Sequence, residues 1–88
     1  MTFEWDAANR THIARHDVTP EEAEQAVRIE PLDADVQQHE SEACVLCFGR
    51  TNSGRLLTVL YTGRRGRIRV ITDYDMTEEQ QQLYFEGK

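Results

Sequence analysis

Hydrophobic and polar residues alternate in three successive segments between residues 43 and 72, which read ACVLCFGR, RLLTVLYT and RIRVIT. Such alternation is typical of β-strands, because successive side chains of a strand point to opposite faces of the sheet. The separators TNSG and GRRG are rich in turn-forming residues, so the pattern predicts an antiparallel meander. In the last segment, Ile68 and Val70 are expected to face the core, and Arg67 and Arg69 to face solvent or a ligand.

The N-terminal half carries helix signals instead. FEW at residues 3–5 predicts a short strand, and Asp6 predicts the N-cap of a helix through AANRTHIARH. The segment TPEEAEQAVRI predicts a second helix. Thr19 at the N-cap and Glu22 at the third helical position form a capping-box pattern, and Pro20 suits the first helical position. Residues 31–42, PLDADVQQHESE, are polar and lack periodicity, so they predict a loop.

A final helix is predicted to begin after Asp75 or Thr77 and to run to about Phe85. The predicted order of elements is therefore β-α-α-β-β-β-α. With 88 residues the chain is long enough for one domain, residues 1–88, around a modest core. We predict an α+β fold in which helices pack against one face of an antiparallel sheet.

The charge distribution is uneven along the chain. The net charge is −6, which argues against a simple nucleic-acid-binding protein. Residues 43–72 nevertheless contain six arginines and no acid, whereas acids predominate on both sides of this block. The arginines at the strand ends and in the turns could form a cationic surface for a phosphate backbone. The alternative is that they pair with the acids of the protein itself as a solvated network.

Two other groups of residues are candidates for chemistry. His12 and His16 are four residues apart on the first predicted helix, where they could bind a metal or present an imidazole to a substrate, or serve only at the surface or in packing. Cys44 and Cys47 lie in a predicted strand on opposite faces, which favours two reduced cysteines over a redox or zinc site.

No apolar run approaches the roughly 20 residues of a membrane span. The N-terminus lacks the pattern of a signal peptide, so we expect a cytoplasmic protein without a membrane partner.

An ordered set of short motifs resembles a known family. The set begins with FEWD at residues 3–6, ARHDV around His16, PEEA at 20–23 and EP at 30–31. It continues with FGR at 48–50, RLLTVLYT, GRIRVIT and the LY at 83–84. Together these motifs look like the BrnT family, the toxins of type II toxin–antitoxin pairs with a RelE-like fold.

The resemblance implies a bacterial endoribonuclease that cleaves RNA without a metal or other cofactor and inhibits translation. It also implies a BrnA-like antitoxin through which the pair binds operator DNA. RelE-like toxins use 2′-hydroxyl attack on the adjacent phosphate, with cationic side chains stabilising the developing charge.

Some of the candidate site residues are implied by matching positions, and the others come from the cationic strands and turns. The resemblance assigns His16 and Arg69 to catalysis. Tyr74 is a candidate general base if a neighbouring arginine favours its phenolate, because free tyrosine has a pKa of ~10. The RNA-binding candidates are Arg50, Arg64, Arg65 and Arg67.

The C-terminal segment departs from the family pattern. Where the family typically has a segment like SARRATRRERRLY, this chain has TDYDMTEEQQQLY. Asp73, Asp75, Glu78 and Glu79 are expected to form an acidic wall that would repel an RNA phosphate. The alternative function is therefore a catalytically inactive or attenuated homologue that acts as an antitoxin-binding module.

Overall fold

The computed structural model describes residues 1–39 and 42–87, which form five strands and three helices. In chain order these are β1 (Thr2–Glu4), α1 (Ala7–Ala14), α2 (Pro20–Arg28), β2 (Leu32–His39), β3 (Glu42–Arg50), β4 (Leu56–Arg64), β5 (Arg67–Asp75) and α3 (Glu78–Glu86). The strands make one sheet in the order β1-β5-β4-β3-β2. β1 runs parallel to β5, and the other neighbours are antiparallel. The α+β class and the predicted meander of β3, β4 and β5 are confirmed.

β2 corrects the predicted order of elements. The segment expected as a loop is a strand through residue 39, so the order is β-α-α-β-β-β-β-α; residues 40 and 41 lie outside the described residues. β2 pairs with β3 from Leu32 opposite Phe48 to His39 opposite Glu42. Because β2 is an edge strand whose residues 33–38 are all exposed, its side chains need no apolar alternation. The backbone pairing offered by β3 determines its conformation.

All three helices begin with a capping box, in which the N-cap side chain and the third helical side chain each accept a backbone N–H of the other residue. The pairs are Asp6 with Asn9, Thr19 with Glu22, and Thr77 with Gln80. The predictions for Asp6 and Thr19 are confirmed, and of the two candidates for α3 the cap is Thr77.

One face of the sheet packs against α1 and α2. The buried residues of this core are Ile13, Val18, Ala23, Ala26, Val27, Leu57, Val59 and Val70. The helix α2 approaches β3 so closely that a Cβ on Gly49 would lie 1.8 Å from the carbonyl oxygen of Ala26. Glycine at this position therefore permits the contact between helix and sheet.

The opposite face carries α3, which differs from the prediction that the helices share one face. Phe48, Met76 and Tyr84 form a second buried cluster there, with Leu46 and Leu56 packed against it. Phe48 points away from the first core because it alternates with Cys47 and Gly49 along β3. Two layers of helix thus enclose the sheet, which explains why both faces of β4 are apolar.

Candidate functional site

A β-bulge in β5 determines which of its side chains share a face. Tyr61 pairs with Val70 and Leu60 pairs with Thr72, so Ile71 has no partner on β4. Such an extra residue reverses the alternation of the side chains that follow it. As a result Arg69, opposite Thr62, and Tyr74, opposite Thr58, lie on the same face of the sheet.

Arg69 is held by two carboxylates. Its Nη1 donates to Asp6 Oδ2 over 2.8 Å and to Glu4 Oε1 over 3.3 Å, and its Nη2 donates to Asp6 Oδ1 over 3.4 Å. The hydrogen bond with Asp6 raises the pKa of Arg69, and that with Arg69 lowers the pKa of Asp6, so both groups stay charged. These contacts fix the arginine against β1 and the start of α1.

An open pocket of about 200 Å³ lies between α1 and β5. Its lining residues are Ala8, Asn9, His12, Arg69, Val70 and Ile71. The buried amide of Asn9 donates to the carbonyl oxygens of Glu4, over 3.0 Å, and Val70, over 3.3 Å. Asn9 thereby attaches α1 to the strands and sets the width of the pocket.

A row of three rings continues from this pocket along the seam between α1 and β5. The ring centroids of His12 and His16 are 6.4 Å apart, and those of His16 and Tyr74 are 6.2 Å apart. The Tyr74 hydroxyl accepts a hydrogen bond from Gln80 Nε2 over 3.2 Å, and Gln80 Oε1 accepts one from Thr58 over 2.8 Å. The first turn of α3 therefore orients Tyr74 beside His16.

The three predicted catalytic residues thus line one seam, with His12 between Arg69 and His16. In the described part of the chain the Tyr74 hydroxyl has Gln80 as its hydrogen-bonding partner, and no arginine donates a hydrogen bond to it. The predicted arginine partner that would favour the phenolate of Tyr74 is therefore not seen in the described residues. The ring next to that of Tyr74 belongs to His16. The sequence predicts for His12 only a metal ligand, an imidazole for a substrate, or a surface or packing residue. Its spacing of four residues from His16 was the available signal for a shared site.

Residues 5–80 match the family model described as the ribonuclease toxin BrnT of a type II toxin–antitoxin system. The chain belongs to the BrnT family. A search of curated proteins finds no match. The matched region extends from the end of β1 to the first turn of α3, so it contains all the residues of the seam. Members of this family are ribonuclease toxins that are paired with an antitoxin.

The predicted RNA-binding arginines of this BrnT chain occupy two ends of the sheet. At one end Arg50 Nη2 pairs with Glu30 over 2.7 Å. At the other end, around the turn between β4 and β5, Arg64 pairs with Glu42 over 2.8 Å, whereas Arg65 and Arg67 are exposed and have no carboxylate partner in the described residues. The alternative interpretation, in which the arginines pair with acids of the protein itself, therefore holds for Arg50 and Arg64.

The acidic wall expected at the end of β5 does not form as a single surface. Asp73 is fully buried on the face of α1 and α2, because the bulge at Ile71 turns it inward. Asp75 pairs with Arg55 over 2.8 Å. Glu78 and Glu79 are exposed in the first turn of α3, where carboxylates interact favourably with the helix dipole. The prediction was wrong for Asp73 because the bulge places this side chain on the face that α1 and α2 cover.

The carboxyl of Asp73 is buried in the core and strongly perturbed. Neither of its oxygens has a hydrogen-bonding partner in the described structure. Burial raises its pKa to about 8, although nearby Arg55 lowers that pKa, and Glu22 and Asp75 add to the rise. At neutral pH the group is therefore mostly protonated, and it adds no anion to the seam.

Cysteine and metal-binding residues are the other candidates for chemistry in the sequence. Cys44 and Cys47 form no disulfide, and they lie on opposite faces of β3. Within residues 1–39 and 42–87, no three His, Cys, Asp or Glu residues group to hold a metal ion. In the same residues no helix is long and apolar enough to cross a membrane.

Proposed function

We propose that this BrnT chain is a cytoplasmic toxin that cleaves RNA without a metal ion and so inhibits translation. The observation that carries the proposal is the row of Arg69, His12, His16 and Tyr74 on one seam of a chain that belongs to a ribonuclease toxin family. A BrnA-like antitoxin would neutralise it, and operator DNA would be bound only through that antitoxin.

Three side chains of the row, those of His16, Arg69 and Tyr74, each suit one part of cleavage by the 2′-hydroxyl. His16 is exposed and next to the Tyr74 ring, so it can take the proton of the 2′-hydroxyl as that oxygen attacks the phosphorus. The bond between the phosphorus and the 5′-oxygen then breaks, and the 5′-oxygen takes a proton from the imidazolium or from water. Arg69 is held charged and can stabilise the negative oxygens of the transition state. Tyr74, held by Gln80, would place the ring of His16 and contact the ribose or a base.

The turn between β4 and β5 would guide the RNA backbone toward this seam. Arg65 and Arg67 lie close in sequence to Arg69, and their guanidinium groups have no carboxylate partner in the described residues. Arg64 would join them only after releasing Glu42, which costs little for an exposed ion pair. Arg50 lies at the other end of the sheet and could contact only a longer RNA.

A second candidate is a non-catalytic homologue that binds the antitoxin. The pairing of Arg50, Arg64 and Arg69 with carboxylates favours it, because paired arginines attract a phosphate backbone less strongly. Acidic groups of an antitoxin could still replace these carboxylates as partners of the arginines, because a large interface would supply many other contacts.

The two candidates are distinguished by incubating the purified, folded chain with RNA in the presence of EDTA. A nuclease should generate 2′,3′-cyclic phosphate ends, and a 2′-deoxy nucleotide at the cleaved position should block the reaction. Arg69→Ala should lower the rate by about a hundredfold or more, since it removes a stabilising charge. His16→Gln and Tyr74→Phe should also slow it.

Arg28→Gln is the matched control, because Arg28 is a surface arginine paired with Glu24 on α2. It should cleave RNA at the rate of the unaltered chain. Intact RNA after prolonged incubation, together with normal growth of cells that express the chain alone, would rule out the nuclease and favour the binding module.

A further inference from the structure

We infer that the pocket between α1 and β5 binds a phosphodiester group between the guanidinium of Arg69 and the imidazole of His12. The inference deepens the proposed function and rests on it for the identity of the ligand, because RNA would bring such a group to this seam. It adds His12, which the proposed catalytic set of Arg69, His16 and Tyr74 does not contain.

The first support is the way in which Arg69 is held. Asp6 accepts from both Nη1 and Nη2, and Glu4 accepts from Nη1. The Nε–H and the second hydrogen of Nη2 have no acceptor in the described part of the chain. These two donors point from one edge of the guanidinium, which is the geometry that binds two oxygens of a phosphate. The side chain is 20% exposed, so a ligand can reach it.

The position of the two acids strengthens this interpretation. Glu4 and Asp6 contact Arg69 but do not line the pocket, whose walls are apolar apart from Asn9, His12 and Arg69. A phosphate would therefore meet the guanidinium at an edge whose donors the two carboxylates do not occupy. Because the acids already order the arginine in the folded protein, binding would lose little side-chain entropy.

His12 supplies a second donor to the same space. It lies in the last turn of α1, a helix with no carboxylate between Ala7 and Ala14. An imidazole donates through its ring N–H, and it adds a positive charge when it is protonated. The pocket of about 200 Å³ is several times the roughly 30 Å³ occupied by one water molecule, so it has room for a tetrahedral anion.

The row of rings indicates how the rest of the nucleotide would lie. From His12 the row continues to His16 and then to Tyr74, away from Arg69. A phosphodiester in the pocket would place the adjoining ribose beside His16, where its 2′-hydroxyl must be for attack on that phosphorus. The pocket would thus select a phosphate with a nucleoside attached.

The site can be tested by NMR titration of the full chain with inorganic phosphate, with chloride at matched ionic strength as the control salt. We expect saturable shifts of the His12 ring protons and of the Arg69 Nε–H. The amide of Gly54, in the turn at the other end of the sheet, should not move with phosphate. His12→Gln and Arg69→Gln should each weaken phosphate binding about tenfold or more, the effect of removing a charge-assisted hydrogen bond.

Arg28→Gln removes an equal charge elsewhere and should change phosphate affinity less than about twofold. His12 is exposed, so His12→Gln remains decisive if Arg69→Gln fails to fold. Shifts that do not saturate, that are equal at Gly54, or that persist unchanged in His12→Gln would overturn the inference. A chain that binds phosphate here without cleaving RNA keeps this site and refutes the proposed nuclease. A chain that cleaves RNA without this binding refutes only the site.

Discussion

Replacement of Asp73 should make the protein more stable at neutral and alkaline pH. The folded state raises the pKa of this carboxyl from 3.8 to about 8 because it is fully buried without a hydrogen-bonding partner. One pKa unit corresponds to about 1.36 kcal/mol. Keeping the group protonated at pH 7 therefore costs the folded state on the order of 4 kcal/mol relative to the unfolded chain.

The sign of the pH dependence follows from the raised pKa of Asp73. Between pH 4 and 8 the folded state binds a proton that the unfolded state releases, so the free energy of unfolding falls as the pH rises. The full stability is present below pH 4 and is lost progressively up to about pH 8, with a slope approaching 1.4 kcal/mol per pH unit. The lowered pKa values of Asp6 and Glu22 act in the opposite direction, but only below their ordinary values of 3.8 and 4.5.

Two variants separate titration from packing. Asp73→Asn keeps the shape of the side chain and should remove the slope between pH 5 and 8, while Asp73→Ala also removes the unpaired oxygens. At pH 7.5 Asp73→Ala should be more stable than the unaltered chain by roughly 2–4 kcal/mol. Urea unfolding followed through the fluorescence of Trp5, which packs against the first core, measures each free energy. A stability that is constant or rises from pH 5 to 8, with the same profile in Asp73→Asn, would refute the reasoning.

Three further substitutions test the packing and the ends of the helices. Gly49→Ala should destabilise the chain by about 3 kcal/mol in urea unfolding, because its Cβ would overlap the carbonyl oxygen of Ala26; unchanged stability would contradict the close approach of α2. Arg55→Gln should cost about 2–3 kcal/mol, since Arg55 joins Glu22 on α2 to the end of β5, and a loss below 1 kcal/mol would show that this link is dispensable. Thr77→Ala should cost about 1 kcal/mol through loss of the α3 cap, whereas Thr77→Ser should retain the stability of the unaltered chain.

Much of the fold could be predicted because its signals are local. The caps at Asp6 and Thr19 depend on residues only three positions away, and the alternation in β3, β4 and β5 marks strands that are covered by helices. β2 could not be predicted in this way. Its exposed side chains follow no apolar pattern, and it is a strand because β3 offers it backbone partners.

The candidate site was predictable in its residue types but not in its arrangement. The family motifs pointed to His16 and Arg69, and Tyr74 was a candidate base at a position where the chain departs from the family pattern. That Arg69 and Tyr74 share a face depends on the bulge at Ile71, which arises from pairing between β4 and β5. His12 enters the site because α1 packs along β5 beside Arg69.

Local sequence thus determined the helices, the central strands and the family, because caps, alternation and ordered motifs act over a few residues or in linear order. Only the tertiary structure decided where the charges of the middle block lie. Arg69 meets Glu4 and Asp6 from more than 60 positions away, and Asp73 turns into the core. Such contacts depend on strand register and helix packing, and neither can be read from residues that are neighbours in the chain.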